Sequence, residues 1–369
     1  MTVCDLDNCA GCMLCLDVCK KNAIKIEDTL YAYNAVIDEA RCINCNACKI
    51  NCPQNRPAKK VETKIWYQGW SRDSKIRHKA PSGGIGMALA KQFIAEGGYV
   101  CSCVFKDGMF GFDVTNNIEC AMCFTGSKYV KSNPKDIYCK IRKLLVNKEK
   151  VLFIGLPCQV AAVKKRFGNL YEENLFLVDL VCHGTPSPRL LEIFLKQYSK
   201  KISEIKDIKF RIKGKYQIIV DDKNILKEGV SDRYSIAFIN GITFTNNCYS
   251  CQYAATERVG DISLGDAYGS ELSNEEIQKG ISLIMIQSSK GRRLLLDSDI
   301  ELKKFDKNVA TSNNTQLISP MEKTKTHDIF FNEIKKQGHN RFNKLVFKNC
   351  MKDCLKQDVK YLLIKCGLV

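Results

Sequence analysis

Hydrophobic periodicity divides the chain in two. Over the first sixty residues no helical pattern runs for more than a turn or two. Short β-prone runs, Ala23 to Glu27 and Ala35 to Asp38, flank cysteine-rich loops, and a short helix is expected after the last cysteine of each loop. From Ile65 the pattern becomes one of strands alternating with helices. Ile65 to Trp70 reads as a strand, and Tyr99 to Phe105 as another after Gly97-Gly98. Between them Pro-Ser-Gly-Gly at 81–84 opens an amphipathic helix from Ile85 to about Ala95. A helix over Asp136 to Asn147, a strand Val151 to Ile154, a helix Gln159 to Arg166, a strand Leu175 to Val181 and a helix from Pro188 to Tyr198 continue the alternation. This order predicts an α/β domain with a mixed sheet. Ile205 to Phe244 reads as antiparallel strands, and the tail from Met321 as helical. The expected class is therefore α+β: a small module in residues 1–58, a linker at 59–64, a larger α/β domain over 65–320 and a helical tail over 321–369.

The small module carries its chemistry in its spacing. Cys9, Cys12, Cys15 and Cys19 are spaced C-x2-C-x2-C-x3-C, and Cys42, Cys45, Cys48 and Cys52 repeat that spacing 33 residues later. Three thiolates on one tight loop can cap three irons of one cubane, and this is the pattern of bacterial two-cluster ferredoxins, whose fourth cysteine serves the other run's cluster. Cys9, Cys12, Cys15 and Cys52 are thus assigned to one [4Fe-4S] cluster, and Cys42, Cys45, Cys48 and Cys19 to a second. Pro53 follows the second run, whereas Lys20 stands where a proline is usual after the first; that position is not a ligand. Zinc prefers two CxxC pairs separated by a longer stretch. Cys4 is read as a spare thiol.

Three further features lie beyond residue 65. Ser82-Gly83-Gly84 ahead of a helix exposes amide donors suited to a phosphate or pyrophosphate, although it is not the G-x-G-x-x-G of nicotinamide proteins. Cys158 and Cys182 follow strand ends, where a parallel sheet collects functional side chains, and Cys248-x2-Cys251 lies on a loop. These four thiols would make a third cluster or a zinc site, with Cys120-x2-Cys123 as a rival pair. Cys101, Cys103, Cys139, Cys350, Cys354 and Cys366 read as free buried thiols. Finally, Gly126-Ser-Lys-Tyr-Val-Lys-Ser132 offers a lysine and a ring on a short loop, and the segment from Gly260 to Gly269 is a glycine-punctuated strand and turn carrying Asp261 and Asp266.

Taken together, these stretches resemble the β-subunit family of coenzyme F420-reducing hydrogenases and dehydrogenases. The resemblance rests on Pro81-Ser-Gly-Gly-Ile-Gly, Gly126-Ser-Lys-Tyr-Val-Lys-Ser, Gly155-Leu-Pro-Cys-Gln, Asp179-Leu-Val-Cys-His-Gly, Cys248-Tyr-Ser-Cys-Gln-Tyr and Gly260-Asp-Ile-Ser-Leu-Gly-Asp, in family order over roughly residues 65–290. It implies an iron–sulfur flavoprotein oxidoreductase. In that reading Ser82, Gly83 and Gly84 hold FAD, Lys128, Tyr129 and Ser132 line its pocket, and Gly265 and Asp266 lie near the cofactor. The resemblance assigns Cys158, Cys182, Cys248 and Cys251 to a third [4Fe-4S] cluster beside the flavin and leaves Cys120 and Cys123 as bystanders. It further implies exchange of electrons with a ferredoxin-like or deazaflavin partner and of hydride with an organic substrate it does not identify. An oxidoreductase that uses coenzyme F420 itself, or a non-catalytic electron-transfer subunit, is the alternative.

Composition narrows the class. The 369 residues hold 57 Lys+Arg against 40 Asp+Glu, a formal charge of +17, with 21 cysteines. Residues 1–58 contain six basic and seven acidic side chains, so the excess lies beyond them, and the tail alone carries +6. No zinc-finger, helix-turn-helix or RNA-binding signature accompanies it, so no nucleic-acid partner is expected. Three cluster anions and the pyrophosphate of FAD would bring the total to roughly +9. No apolar run reaches the roughly 18 residues of a membrane span and the first residues have no signal-peptide pattern, so a cytoplasmic protein is expected, in a compartment where many thiols point to metal or redox chemistry.

Overall fold

The strands form around the alternation read from Ile65 onward. The computed structural model of the chain describes residues 1–368, and Val369, the last residue of the expected tail, lies outside them. In the small module β1 (Ile24–Asp28) pairs antiparallel with β2 (Tyr33–Ile37). The later strands are β3 (Ile65–Ser71), β4 (Tyr99–Lys106), β5 (Met109–Thr115), β6 (Val151–Gly155), β7 (Leu175–Leu180), β8 (Ile208–Ile212), β9 (Lys215–Val220), β10 (Lys223–Asn224), β11 (Ile262–Asp266), β12 (Ser282–Ile286) and β13 (Ile300–Lys304). Eight of them build the main sheet in the order β13-β3-β12-β11-β7-β6-β4-β5. β4, β6, β7 and β11 run parallel. β12 is antiparallel to both β11 and β3, so β3 points the same way as the parallel set, and antiparallel β5 and β13 close the edges. This is the mixed sheet that the alternation predicts.

The sheet is covered on both faces, as a mostly parallel sheet must be. β6 is buried at every residue. Its Leu152 and Ile154 pack with Leu89 and Phe93 of the helix Ile85–Ala95. Its Val151 and Phe153 belong to a core on the opposite face that also takes in Leu14, Tyr33 and Ile37 of the small module. The module is thus seated on the sheet, and polar contacts fix it there. Asp17 accepts from Arg142 Nη2 at 2.6 and 2.5 Å and from Arg166 Nε at 2.6 Å. Asp28 accepts from Ser187 Oγ at 2.5 Å, and its carbonyl takes Arg189 Nη1 at 2.7 Å.

Several elements differ from the sequence expectation. The module's short helices, Leu14–Val18 and Ala47–Asn51, precede the fourth cysteine of each run instead of following it, because Cys15 to Cys19 and Cys48 to Cys52 are one helical turn apart. Between Ile205 and Phe244 only β8, β9 and β10 are strands, in a separate three-stranded sheet, and Arg233–Ile239 is a helix capped by Asp232, whose carboxylate accepts from Ser235 N at 2.8 Å. The tail is helical, and Phe330, Phe331, Phe342 and Val346 pack against Phe194, Phe210 and Tyr234. Of the six thiols expected to be buried, Cys101, Cys350 and Cys354 are, whereas Cys139 and Cys366 are exposed. Among the described residues no helix is long and apolar enough to cross a membrane.

Candidate functional site

The cysteines of the small module gather into two sets. Cys9, Cys12, Cys15 and Cys52 line one small cavity, together with Cys4 and Cys158. Burial pushes the Cys12 and Cys15 thiols up, and each is pushed further by its neighbours: Cys12 by Cys15, Cys9 and Cys52, and Cys15 by Cys9, Cys52 and Cys48. Cys48 is raised by burial first and then by Cys19 and Cys42. The structure therefore brings each run's fourth cysteine to the other run's set, as the crossed assignment requires. Cys45 of the second run is exposed.

These residues fit iron–sulfur clusters. Backbone amides point at the sulfurs: Gly11 N at 3.4 Å from Cys9 Sγ, Ala23 N at 3.3 Å from Cys19 Sγ and Asn44 N at 3.4 Å from Cys42 Sγ. Such bonds stabilise thiolate charge. Gly11 has φ +69°, and a Cβ there would stand 2.8 Å from Tyr33 Cδ2 and 3.0 Å from Lys131 Cδ, so only glycine lets this loop lie where it does. Burial alone favours the protonated form of Cys12 and Cys15; a cluster's irons take such thiols as thiolates.

The second gathering spans the sheet. Cys158 sits in the first turn of the helix Pro157–Val163, just past β6, and Cys182 two residues past β7. Cys248 ends a short turn at 246–248, and Cys251 lies on the loop beyond. The four come together: burial pushes Cys182 up, with Cys248, Cys158 and Cys251 adding to it, and burial pushes Cys158 up to about 12, with Cys251 and Cys248 adding to it. Among the described residues no group of three or more His, Cys, Asp or Glu side chains is set to grip a single metal ion. A four-iron cubane holds its thiolates further apart than one ion does. The rival pair, Cys120 and Cys123, is exposed and outside this group.

A large cavity, about 500 Å³, opens over the ends of β6, β7 and β11, the place where open α/β sheets bind ligands. Ser82, Gly84, Lys128, Tyr129, Ser132, Gly265 and Asp266 all line it, and so does Cys182. Gly83 lies just behind the wall. Its N–H donates to Ser282 Oγ at 3.0 Å, its carbonyl accepts from Ser71 N at 2.8 Å, and a Cβ there would run into the Gly69 carbonyl oxygen. Gly84 caps the helix Ile85–Ala95 with φ +83°. Ser132 Oγ accepts from Gln159 Nε2 at 2.9 Å, and Tyr129 stacks on Phe238 with ring centroids 4.3 Å apart. Lys128 Nζ binds the carbonyls of Phe124 and Thr125 at 2.8 and 3.1 Å, and burial lowers its pKa. Asp266 is held by Arg211, Nη1 at 2.6 Å and Nη2 at 3.2 Å. The cavity has the size and the mixture of apolar, aromatic and few polar walls of a cofactor site, and it fits a flavin nucleotide.

Sequence reasoning missed the residues that hold these parts. Tyr138 donates to Cys12 O at 2.6 Å, and Tyr253, buried with its hydroxyl unpartnered, lies close enough to Cys158 and Cys12 for both to push its pKa up after burial does. Arg211 and Tyr216 reach the cavity from β8 and β9, with no local motif to announce them.

Residues 8–56 match the sequence profile of the 4Fe-4S dicluster domain, and residues 148–308 match that of the C terminus of the coenzyme F420 hydrogenase/dehydrogenase beta chain. With paired thiol sets seated on this sheet, the chain is an iron–sulfur electron-transfer protein. Over residues 148–308 it carries the C-terminal domain described for the coenzyme F420 hydrogenase/dehydrogenase beta subunit. Thirteen chains of solved structures match it; one, from a xenon-derivatised F420-reducing [NiFe] hydrogenase complex of Methanosarcina barkeri, is 20% identical with a TM-score of 0.49, the match covering 80% of this chain and 92% of that one. No curated protein matches the chain.

Proposed function

We propose that the chain is an iron–sulfur flavoenzyme: an oxidoreductase that passes electrons between clusters held by its cysteines and an FAD in the large cavity, where an organic substrate exchanges hydride. One observation carries the reading. The group of Cys158, Cys182, Cys248 and Cys251 touches both sides, with Cys158 on the small cavity of the module and Cys182 on the large one. A third cluster held there would join the two. When bound, a flavin exchanges electron pairs as hydride with organic molecules and single electrons with iron–sulfur centres.

The chain's own groups would do the rest. Gly84 and the first turn of the helix from Ile85, which line the cavity, offer backbone amide donors at a helix N terminus, a site for a pyrophosphate. Tyr129, backed by Phe238, offers a flat wall for a ring, and Ser132 with Gln159 supplies polar contacts. Arg211, anchored by Asp266, keeps a cation at the cavity wall, which suits an anionic group on cofactor or substrate. Nucleic acid has no part in this reading.

The test is anaerobic purification with iron, sulfide and flavin counts. About twelve irons and one FAD per chain are expected. About eight irons without flavin would reduce the protein to a two-cluster carrier. Mixing with a reduced deazaflavin, and separately with a reduced ferredoxin, then identifies the partner by which of them bleaches the flavin absorbance.

A further inference from the structure

One residue of the Gly126–Ser132 loop is turned away from the large cavity. Lys131 is 4% exposed and does not line that cavity, although Val130 and Ser132 on either side of it do. Its Nζ donates to Ala10 O at 3.1 Å, between Cys9 and Cys12, and to Asn247 Oδ1 at 3.3 Å, next to Cys248. It also stands 5.3 Å from the centre of the Tyr33 ring. Among the described residues it forms no ion pair. A buried ammonium held only by a carbonyl, an amide oxygen and a ring is short of negative charge. Cluster thiolates would stand on both sides of it. The Ala10 carbonyl that it binds lies on the small cavity that Cys9, Cys12 and Cys158 also line, and Asn247, its other partner, immediately precedes Cys248.

From this placement we propose that Lys131 is a positioning residue of the electron path: a fixed cation wedged between the Cys9 thiolate set and the Cys158 set, which raises the reduction potential of the clusters on both sides. The Cys158 arm rests on the third cluster proposed above; the Cys9 arm needs only the dicluster module. An iron–sulfur centre gains one unit of negative charge when it takes up one electron, and a nearby buried cation favours that reduced form. The electron passing between the two sets moves without a proton. A single fixed cation between the two sets shifts both ends of the step in the same direction, so the drop between them stays small.

The experiment is an EPR-monitored redox titration of the full anaerobic chain, with iron counts, for the native protein and for Lys131→Met, Lys131→Gln and Lys131→Arg. In the Met and Gln chains the reduced-to-oxidised ratio of the Cys9-set cluster at a fixed poise is expected to fall about tenfold, equivalent to about 59 mV for a one-electron couple. The Cys158-set cluster should shift the same way, and the Cys42-set cluster, which Lys131 does not touch, much less. Lys131→Arg should keep the native ratio. An unchanged ratio in iron-replete Met and Gln chains overturns the proposal. A native ratio in Gln alone does so too, since that would make Lys131 a hydrogen-bonding strut. If Met and Gln both lose iron, Arg decides: retention of iron and potential supports the charge, and loss of either overturns it. A native count of about eight irons removes the third cluster but leaves the Cys9 arm to be read by itself.

Discussion

Asp179 is completely buried in a strand that otherwise reads Leu-Phe-Leu-Val and Leu, and its partner Arg258 is 2% exposed. Arg258 Nε donates to Asp179 Oδ1 at 2.9 Å, and Gly260 N donates to Oδ2 at 2.8 Å. The guanidinium also holds the carbonyls of Tyr253 and Ala255 at 3.0 and 3.2 Å. One ion pair therefore ties the strand that delivers Cys182 to the loop that follows Cys251. Asp179→Asn leaves the arginine buried without its counter-charge, and about 3–5 kcal/mol of stability should go with it. Urea unfolding checks this, and a midpoint equal to the native one would remove the pair from the account. A lone acid in an apolar strand was a signal open to the reader of the sequence. Its partner, 79 residues on, was not, because only the pairing of β7 with β11 brings the two together.

Elements show the same division between local and non-local information. The helix Ile85–Ala95 lies where the sequence places it, since its start is marked by Pro-Ser-Gly-Gly and one face is apolar. The segment Tyr-Ser-Ile-Ala-Phe-Ile at 234–239 reads as strand yet is helical, because nearly all of it is buried and no polar face is left to set a period. The ferredoxin-type sets were legible from spacing, since most ligands of each sit on one loop. The group of Cys158, Cys182, Cys248 and Cys251 comes from three segments, and spacing could not choose between it and Cys120 with Cys123. Two substitutions test how elements are joined. Gly83→Ala forces a methyl against the Gly69 carbonyl and to 2.8 Å from Ser282 N, where β3, β12 and the helix start meet. Overpacking of this kind costs about 1–3 kcal/mol, and the FAD content should fall while the iron content of the chain stays native; equal flavin content would remove this turn from the binding site. Asp17→Ala strips the module of the carboxylate shared by Arg142 and Arg166, a loss of about 1.5–3 kcal/mol for charged hydrogen bonds. A lower thermal midpoint checks it, and an unchanged one would mean the apolar seat alone holds the module.

Across the whole molecule the thiol sets adjoin one another in order. Cys45 is exposed at the outer set, Cys48 of that set neighbours Cys15 of the inner one, Cys158 shares the inner set's cavity, and Cys182 opens on the large cavity. Electrons entering at the surface would reach the cavity only through each set in turn, so lesions at the two ends should differ in kind. Cys45→Ser removes a ligand at the exposed end. It should lower the iron content by no more than about one cluster, leave the flavin spectrum native and slow reduction by an external one-electron donor. Cys158→Ser acts at the junction of the two cavities. On the proposed function it should also remove about one cluster's iron, and it should in addition perturb the flavin spectrum, because the set it belongs to includes Cys182 on the wall of the large cavity. Flavin reduced directly by a hydride donor should survive in both chains, while electron transfer from that flavin to an external acceptor should fail in both. Full iron content in Cys158→Ser would break the link between the third and second sets, and a perturbed flavin spectrum in Cys45→Ser would show that the outer set does not act at a distance from the cavity.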